Sequence, residues 1–275
     1  MKNLSSIVIL FFMGHLLSAQ TFYLPDMPGR YESGLEPKCD FQDVKTKNTF
    51  KEAIDYMQKN NLNKSFASLH NLISEDKANC DVYFFSGYVR YKQGLYEQAI
   101  PYLEKAEEMM PSPEAALKIT LGHSLFALGK FEQAKQKFLE TYELFPKNTK
   151  SLLLAADAAI HLGELEYALE LIERSKKNAP HSGYTGESPG VKFLKGEVYV
   201  LTENYSDAVG AFEEIQSYFN TNDKFKIYYA YALLQESKIQ SDKKMNKKSN
   251  RVYKRVKNKE LVPEKIEAAF ASSGL

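Results

Sequence analysis

The chain has 275 residues, 44% of them hydrophobic and 26% charged, which is enough apolar material for an ordinary folded domain. Its formal net charge of +1 excludes any inference about partners from overall charge. Its two cysteines allow one intramolecular disulfide at most.

The chain opens with the pattern of a secretory signal peptide over residues 1–19. Lys2 supplies the positive end, an apolar run extends to Leu17, and Ser18-Ala19 gives a small-residue cleavage end before Gln20. The apolar run is too short to span a bilayer, which takes roughly 20 residues. An exported, periplasmic or secreted protein is therefore expected. Residues 20–45 carry Pro25, Pro28, Gly29, Gly34 and Pro37, so they are expected as a non-helical lead-in. Phe22, Tyr23, Leu24 and Tyr31 give this lead-in something to pack, either as a cap on the first helices beyond it or not at all. Cys39 lies in it and Cys80 lies beyond it. An exported chain with an even cysteine count invites a Cys39–Cys80 bond. The alternative, Cys80 as a small buried apolar residue, is equally open.

From residue 46 the chain repeats itself. Residues 83–111 show the unit most clearly: Gly87, Gly94, Tyr96, Ala99, Leu103, Ala106 and Pro111. The same places are filled by Gly122, Gly129, Phe131, Ala134, Phe138, Thr141 and Pro146 in the next unit. Ala156, Gly163, Leu165, Ala168, Ile172, Ser175 and Pro180 fill them in the one after. A later unit has Gly196, Glu203, Tyr205, Ala208, Phe212, Ile215 and Asn220. An earlier one has Ala53, Asn60, Leu62, Ser65, Leu69, Leu72 and Lys77. Within a unit, Tyr96, Ala99, Leu103 and Ala106 share one helical face. Gly87 and Ala99 let two helix axes approach closely, and Gly94 suits the turn between them. Pro111 stops the second helix, and Pro101 inside it predicts a mild kink.

A period near 34 residues with helical spacing inside each unit resembles the tetratricopeptide-repeat (TPR) family. The resemblance implies an all-α, right-handed superhelical solenoid of helix–turn–helix repeats. Expected repeats are residues 46–79, 80–114, 115–148, 149–182 and 189–222, with a last helix over 223–238, so the solenoid spans 46–238. The end units have lost glycines and the proline, as units facing water on one side do. The longer step before the fifth unit places an inserted loop at residues 181–190. Residues 239–275 are expected as a basic tail with a short helix: residues 238–275 hold eleven Lys/Arg against four Asp/Glu. Such a run attracts anionic surfaces or acidic partners, or lies solvated against the acidic remainder of its own chain, and the last of these is preferred. Export and the lack of interleaved aromatics argue against nucleic acid.

In the resembled family the first helix of each repeat lines a concave groove that binds partners. Carried over, the groove positions are Tyr88, Tyr91, Lys92, Ile119, His123, Phe126, Leu153, Asp157, Ile160, His161, Phe193 and Glu197. Phe84 also falls on this set, but competes as a packing residue. The surface is aromatic and apolar and lacks the Lys/Arg/Asn clamp with which some members hold acidic C-termini. An extended or helical peptide with hydrophobic anchors is expected instead. Asp157 and His161 stand one helical turn apart, with His123 in the previous unit. A metal or acid–base site there is set against a structural ion pair or a groove contact, and either of the latter is preferred. No metal or cofactor is expected. The sequence has no HExxH, P-loop, GxSxG or CxxC pattern. The expectation is a non-catalytic interaction scaffold of the cell envelope, with a tethering protein acting through its basic tail as the alternative.

Overall fold

The computed structural model describes residues 37–177 and 187–273. Thirteen α-helices and no strands are found among them. They are α1 Val44–Gln58, α2 Leu62–Ser74, α3 Cys80–Lys92, α4 Tyr96–Met109, α5 Ala115–Ala127, α6 Phe131–Leu144, α7 Lys150–Leu162, α8 Leu165–Lys177, α9 Pro189–Leu201, α10 Tyr205–Phe219, α11 Asp223–Gln240, α12 Lys243–Tyr253 and α13 Glu264–Ala271. A 3-10 turn, Lys259–Leu261, precedes α13. None of the described helices is long and apolar enough to cross a membrane. The expected signal peptide, residues 20–36 of the expected lead-in with its four candidate capping residues, and most of the inserted loop lie outside the described residues.

The chain divides into two compact units, one ending at Ala158 and one beginning at Ala159, and the division falls within α7. In the first, α1 packs on α2, α3 on α4 and α5 on α6, and each pair stacks on the next through α2–α3 and α4–α5. The first helices also lie side by side, α1 with α3 and α3 with α5. In the second, α9 packs on α10, α10 on α11 and α11 on α12, with α9 beside α11. Capping side chains mark where several helices start. Asp43, Asn61, Asn79, Ser188, Asn222 and Asp242 each accept a backbone N–H from the first turn.

Small residues set how closely the paired helices approach. A Cβ added at Gly87 would meet Leu103 Cγ at 2.6 Å, and one at Gly122 or Gly196 would meet the Phe138 or Phe212 ring at 2.5 Å. The turn between paired helices needs a left-handed residue in every repeat. Asn60, Gly94, Gly129, Gly163 and Glu203 all have φ between 57° and 78°. Ser241, between α11 and α12, has φ 56° and continues the series.

Ser241 turns a helix pair that was expected to be absent. Residues 239–273 are more than a tail with one short helix: α11 and α12 form a sixth helix pair, and α13, the expected short helix, packs back on α11. Ser249 Oγ donates to Ala230 O at 2.7 Å, and Asp223 Oδ2 accepts from the Asn258 and Lys257 N–H groups. Tyr253 stacks on Phe270 at 3.8 Å. The last expected helix, 223–238, runs on to Gln240. Three smaller differences accompany it. Pro189 and Gly190, assigned to the inserted loop, open α9, where Pro at the first position costs no hydrogen bond. Val44 and Lys45, at the end of the expected lead-in, are the first turn of α1. Pro101 lies inside α4, which runs unbroken from Tyr96 to Met109.

Candidate functional site

Most of the expected groove residues are interior. Tyr88, Tyr91, His123, Phe126, Leu153, Asp157, Ile160, Phe193 and Glu197 are all buried, as is Phe84. Lys92 is exposed, and Ile119 and His161 are partly exposed. The cause lies in α3 and α5, which are apolar almost all the way round. Each touches its own pair-mate and the first helices beside it, so few of its faces reach water.

Aromatic groups, all buried but the partly exposed Phe41, form a continuous spine through the first unit. Phe41 meets Phe50 at 5.0 Å between ring centroids, Phe50 meets Phe85 at 5.7 Å, and Phe85 meets Tyr88 at 6.4 Å. Tyr88 continues to Tyr91 at 6.4 Å, Tyr91 to His123 at 6.2 Å, and His123 to Phe138 at 5.4 Å. Burial pushes the Tyr91 hydroxyl well above its ordinary value, and Tyr96 and Tyr88 push it the same way. The Tyr91 hydroxyl therefore keeps its proton at physiological pH. In the second unit Phe193, Phe212, Phe225 and Tyr229 make a comparable cluster. Lys224 reaches the buried Glu197 there at 3.0 Å, which accounts for the one acidic position of the expected groove in that unit.

The end of the lead-in is a strap across the first unit. Cys39 and Cys80 are bonded, with Cα atoms 5.9 Å apart. In the chain-entropy model a closed loop of this length stabilises by about 4 kcal/mol. The Cys39 N–H donates to the buried Asp81 carboxylate at 2.9 Å, and Asn79 Nδ2 donates to the Cys39 and Asp40 carbonyls at 3.1 Å. Lys38 donates to Pro113 O at 2.8 Å and pairs with Glu114 at 3.1 Å. Lys38 thus ties the strap to the turn between α4 and α5.

That turn borders an open recess of about 390 Å³, which the repeat pattern does not announce. Met110, Pro111, Pro113, Leu117 and Leu144 give it apolar walls, and Glu107, Lys118 and Lys137 line it with charge. Lys137 meets Glu107 at 3.0 Å and Glu140 at 3.3 Å, and Lys118 also pairs with Glu107. Burial raises the Glu107 carboxyl, but hydrogen bonds from Lys118 and Lys137 outweigh it, and the group sits below its ordinary value of 4.5. The charges are mutually satisfied, so this recess offers apolar contact rather than charge selection. Its only sequence signal is the Pro111-Ser112-Pro113 turn.

A family model described as anaphase-promoting complex, cyclosome, subunit 3 matches residues 92–175. The chain has no match among curated proteins. Among solved structures it is similar to pilF of Pseudomonas aeruginosa, at 16% identity over 88% of this chain and 99% of that one, with a TM-score of 0.60. It is also similar to a tetratricopeptide repeat protein from Parabacteroides merdae, at 13% identity over 82% and 98% of the two chains, with a TM-score of 0.58. A third likeness is to the Cut9–Hcn1 hetero-tetramer of the APC/C, at 14% identity over 78% and 43%, with a TM-score of 0.55. Helix pairs stacked in chain order, turning at one recurrent left-handed residue, give this protein the all-α fold of tetratricopeptide-repeat proteins.

Proposed function

We propose that this chain is a non-catalytic interaction scaffold that holds a protein partner on its layer of first helices. The observation that carries the reading is the side-by-side packing of α1, α3 and α5, which turns successive repeats into one surface. Tetratricopeptide-type repeats generally mediate protein–protein contacts, and one structural neighbour, Cut9–Hcn1, is a hetero-tetramer. The partner contacts are the members of the layer that reach water, the exposed Lys92 and the partly exposed Ile119 first, while the buried rings beneath keep the layer rigid. An exposed cation and a partly exposed apolar side chain on a rigid layer suit an extended or helical segment with hydrophobic anchors.

The setting is the cell envelope. The signal-peptide pattern of residues 1–19 supports it, and so does a formed disulfide in a chain with two cysteines.

The test is a cross-linked pull-down from native envelope fractions with the processed chain and a Lys92→Glu/Ile119→Asp variant. Recovery of one stoichiometric partner, lost with the variant while helicity is kept, is the expected result. Recovery that is unchanged by the variant would overturn the first-helix layer as the binding surface.

A further inference from the structure

Helix α12 carries most of its charge without an ion-pair partner among the described residues. Its eleven residues include Lys243, Lys244, Lys247, Lys248 and Arg251 and no acid, and Lys254 and Arg255 come directly after it. On other helices Lys118, Lys137 and Lys195 each reach a carboxylate on a neighbouring helix. On α12 only Lys248 does so, meeting Glu213 of α10 at 2.7 Å. Lys243, Lys244, Lys247, Arg251, Lys254 and Arg255 are exposed and have no ion pair among the described residues.

The arrangement works against the helix that bears it. Lys243 and Lys244 occupy the first turn, beside the positive end of the helix dipole, with only the Asp242 cap to offset them. Lys243 and Lys247, like Lys247 and Arg251, are like charges four residues apart and repel. Broken local rules of this kind are expected where function rather than folding chose the residues. The helix cannot turn the face away, because Ser249 and Val252 on its other side are buried and Ser249 bonds Ala230 of α11.

We propose that the outer face of α12 docks the protein on an anionic lipid bilayer. Three observations choose this occupant. The face is the exposed side of a single helix about 16 Å long, which can lie along a plane but cannot by itself enclose an extended acidic peptide. Four of its six unpaired cations are lysines, point charges that suit diffuse surface charge better than the paired geometry of a single carboxylate or phosphate. Ile239, 69% exposed, sits at the end of α11 just before the face begins and offers an apolar contact beside the cations. For nucleic acid the face lacks a stacking ring, since Tyr253 is already stacked on Phe270. The α12 face shares no residue with the first-helix surface, so either could bind without the other.

The experiment is co-sedimentation of the intact protein with vesicles of phosphatidylcholine alone or with about a third phosphatidylglycerol. The expected result is binding to the anionic vesicles only, declining steeply between about 0.05 and 0.5 M salt. Lys247→Glu/Arg251→Glu/Lys254→Glu should weaken it by at least about tenfold. The glutamine version of the same triple variant guards against a folding effect and should weaken binding less, with helicity and unfolding midpoint unchanged. No partition into anionic vesicles at low salt, equal binding to neutral ones, or undiminished binding by both variants would overturn the proposal. So would tighter binding to polyglutamate or single-stranded DNA than to the vesicles, which would assign the face to a polyanion.

Discussion

At the scale of single residues, the helix pairs depend on what is missing from their side chains. Gly122 faces the ring of Phe138, which is itself fully buried and cannot swing aside. Gly122→Ala should therefore lower stability by about 1–3 kcal/mol through overpacking. Gly210 sits on an exposed helical surface with nothing near its would-be Cβ. Gly210→Ala should raise stability by about 0.5–1 kcal/mol, because alanine restricts the unfolded chain and favours helix. Urea unfolding of the two variants against the parent checks both signs at once. The recurrent geometry of the turn is a second residue-scale fact. Glu203 and Ser241 hold the same left-handed conformation as Gly94 without being glycine, so the position is set by the packing of the pair rather than by the residue that occupies it.

At the scale of elements, the junctions between repeats are fastened by charge as well as by apolar contact. The Glu107 carboxyl of α4 bonds Lys118 of α5 and Lys137 of α6. Its folded pKa is depressed, so its contribution to stability is fully present above the ordinary carboxylate value of 4.5 and is lost as pH falls through the folded one. The unfolding midpoint of the parent should fall more between pH 7 and pH 3 than that of Glu107→Gln, which has no such proton to take up. Parallel curves for the two proteins would show that the cluster adds nothing to the pH dependence. The same cluster explains why the nearby recess is electrically quiet, and why its apolar walls are the part available for contact.

At the scale of the whole molecule, the C-terminal region is structural before it is anything else. The described residues 242–273 cover one face of α11, where Ser249 bonds Ala230, Asn246 reaches Ser237 and Lys226 donates to the Arg255 carbonyl. Truncation after Gln240 should therefore expose that face and remove the Ser249–Ala230 and Asp223–Asn258 bonds. The expected outcome is a lower unfolding midpoint and aggregation, seen by light scattering, rather than a well-behaved shorter protein. A soluble truncated chain with an unchanged midpoint would mean that the sixth pair is dispensable.

The repeat is legible in the chain alone. Small residues, turn residues and apolar positions recur because every pair solves the same local problem, bringing two helix axes together around one tight turn. That problem is written in neighbouring residues, so it can be read without coordinates through the middle units. The sixth pair was not legible, because Leu234 and Asn246 stand where other repeats have small residues, and lysines dominate its surface. Its apolar content is a few side chains, such as Val252, Val256 and Phe270, whose role appears only when α11 is beside them. The expected groove residues were found on the right helices, but their order along the chain could not say which would reach water. A helix surrounded by three neighbours spends most of its circumference on packing, and the positions left over depend on how those neighbours sit. The disulfide and the Lys38 anchor belong to the same class: they join residues dozens of positions apart, and proximity of that kind is a property of the fold.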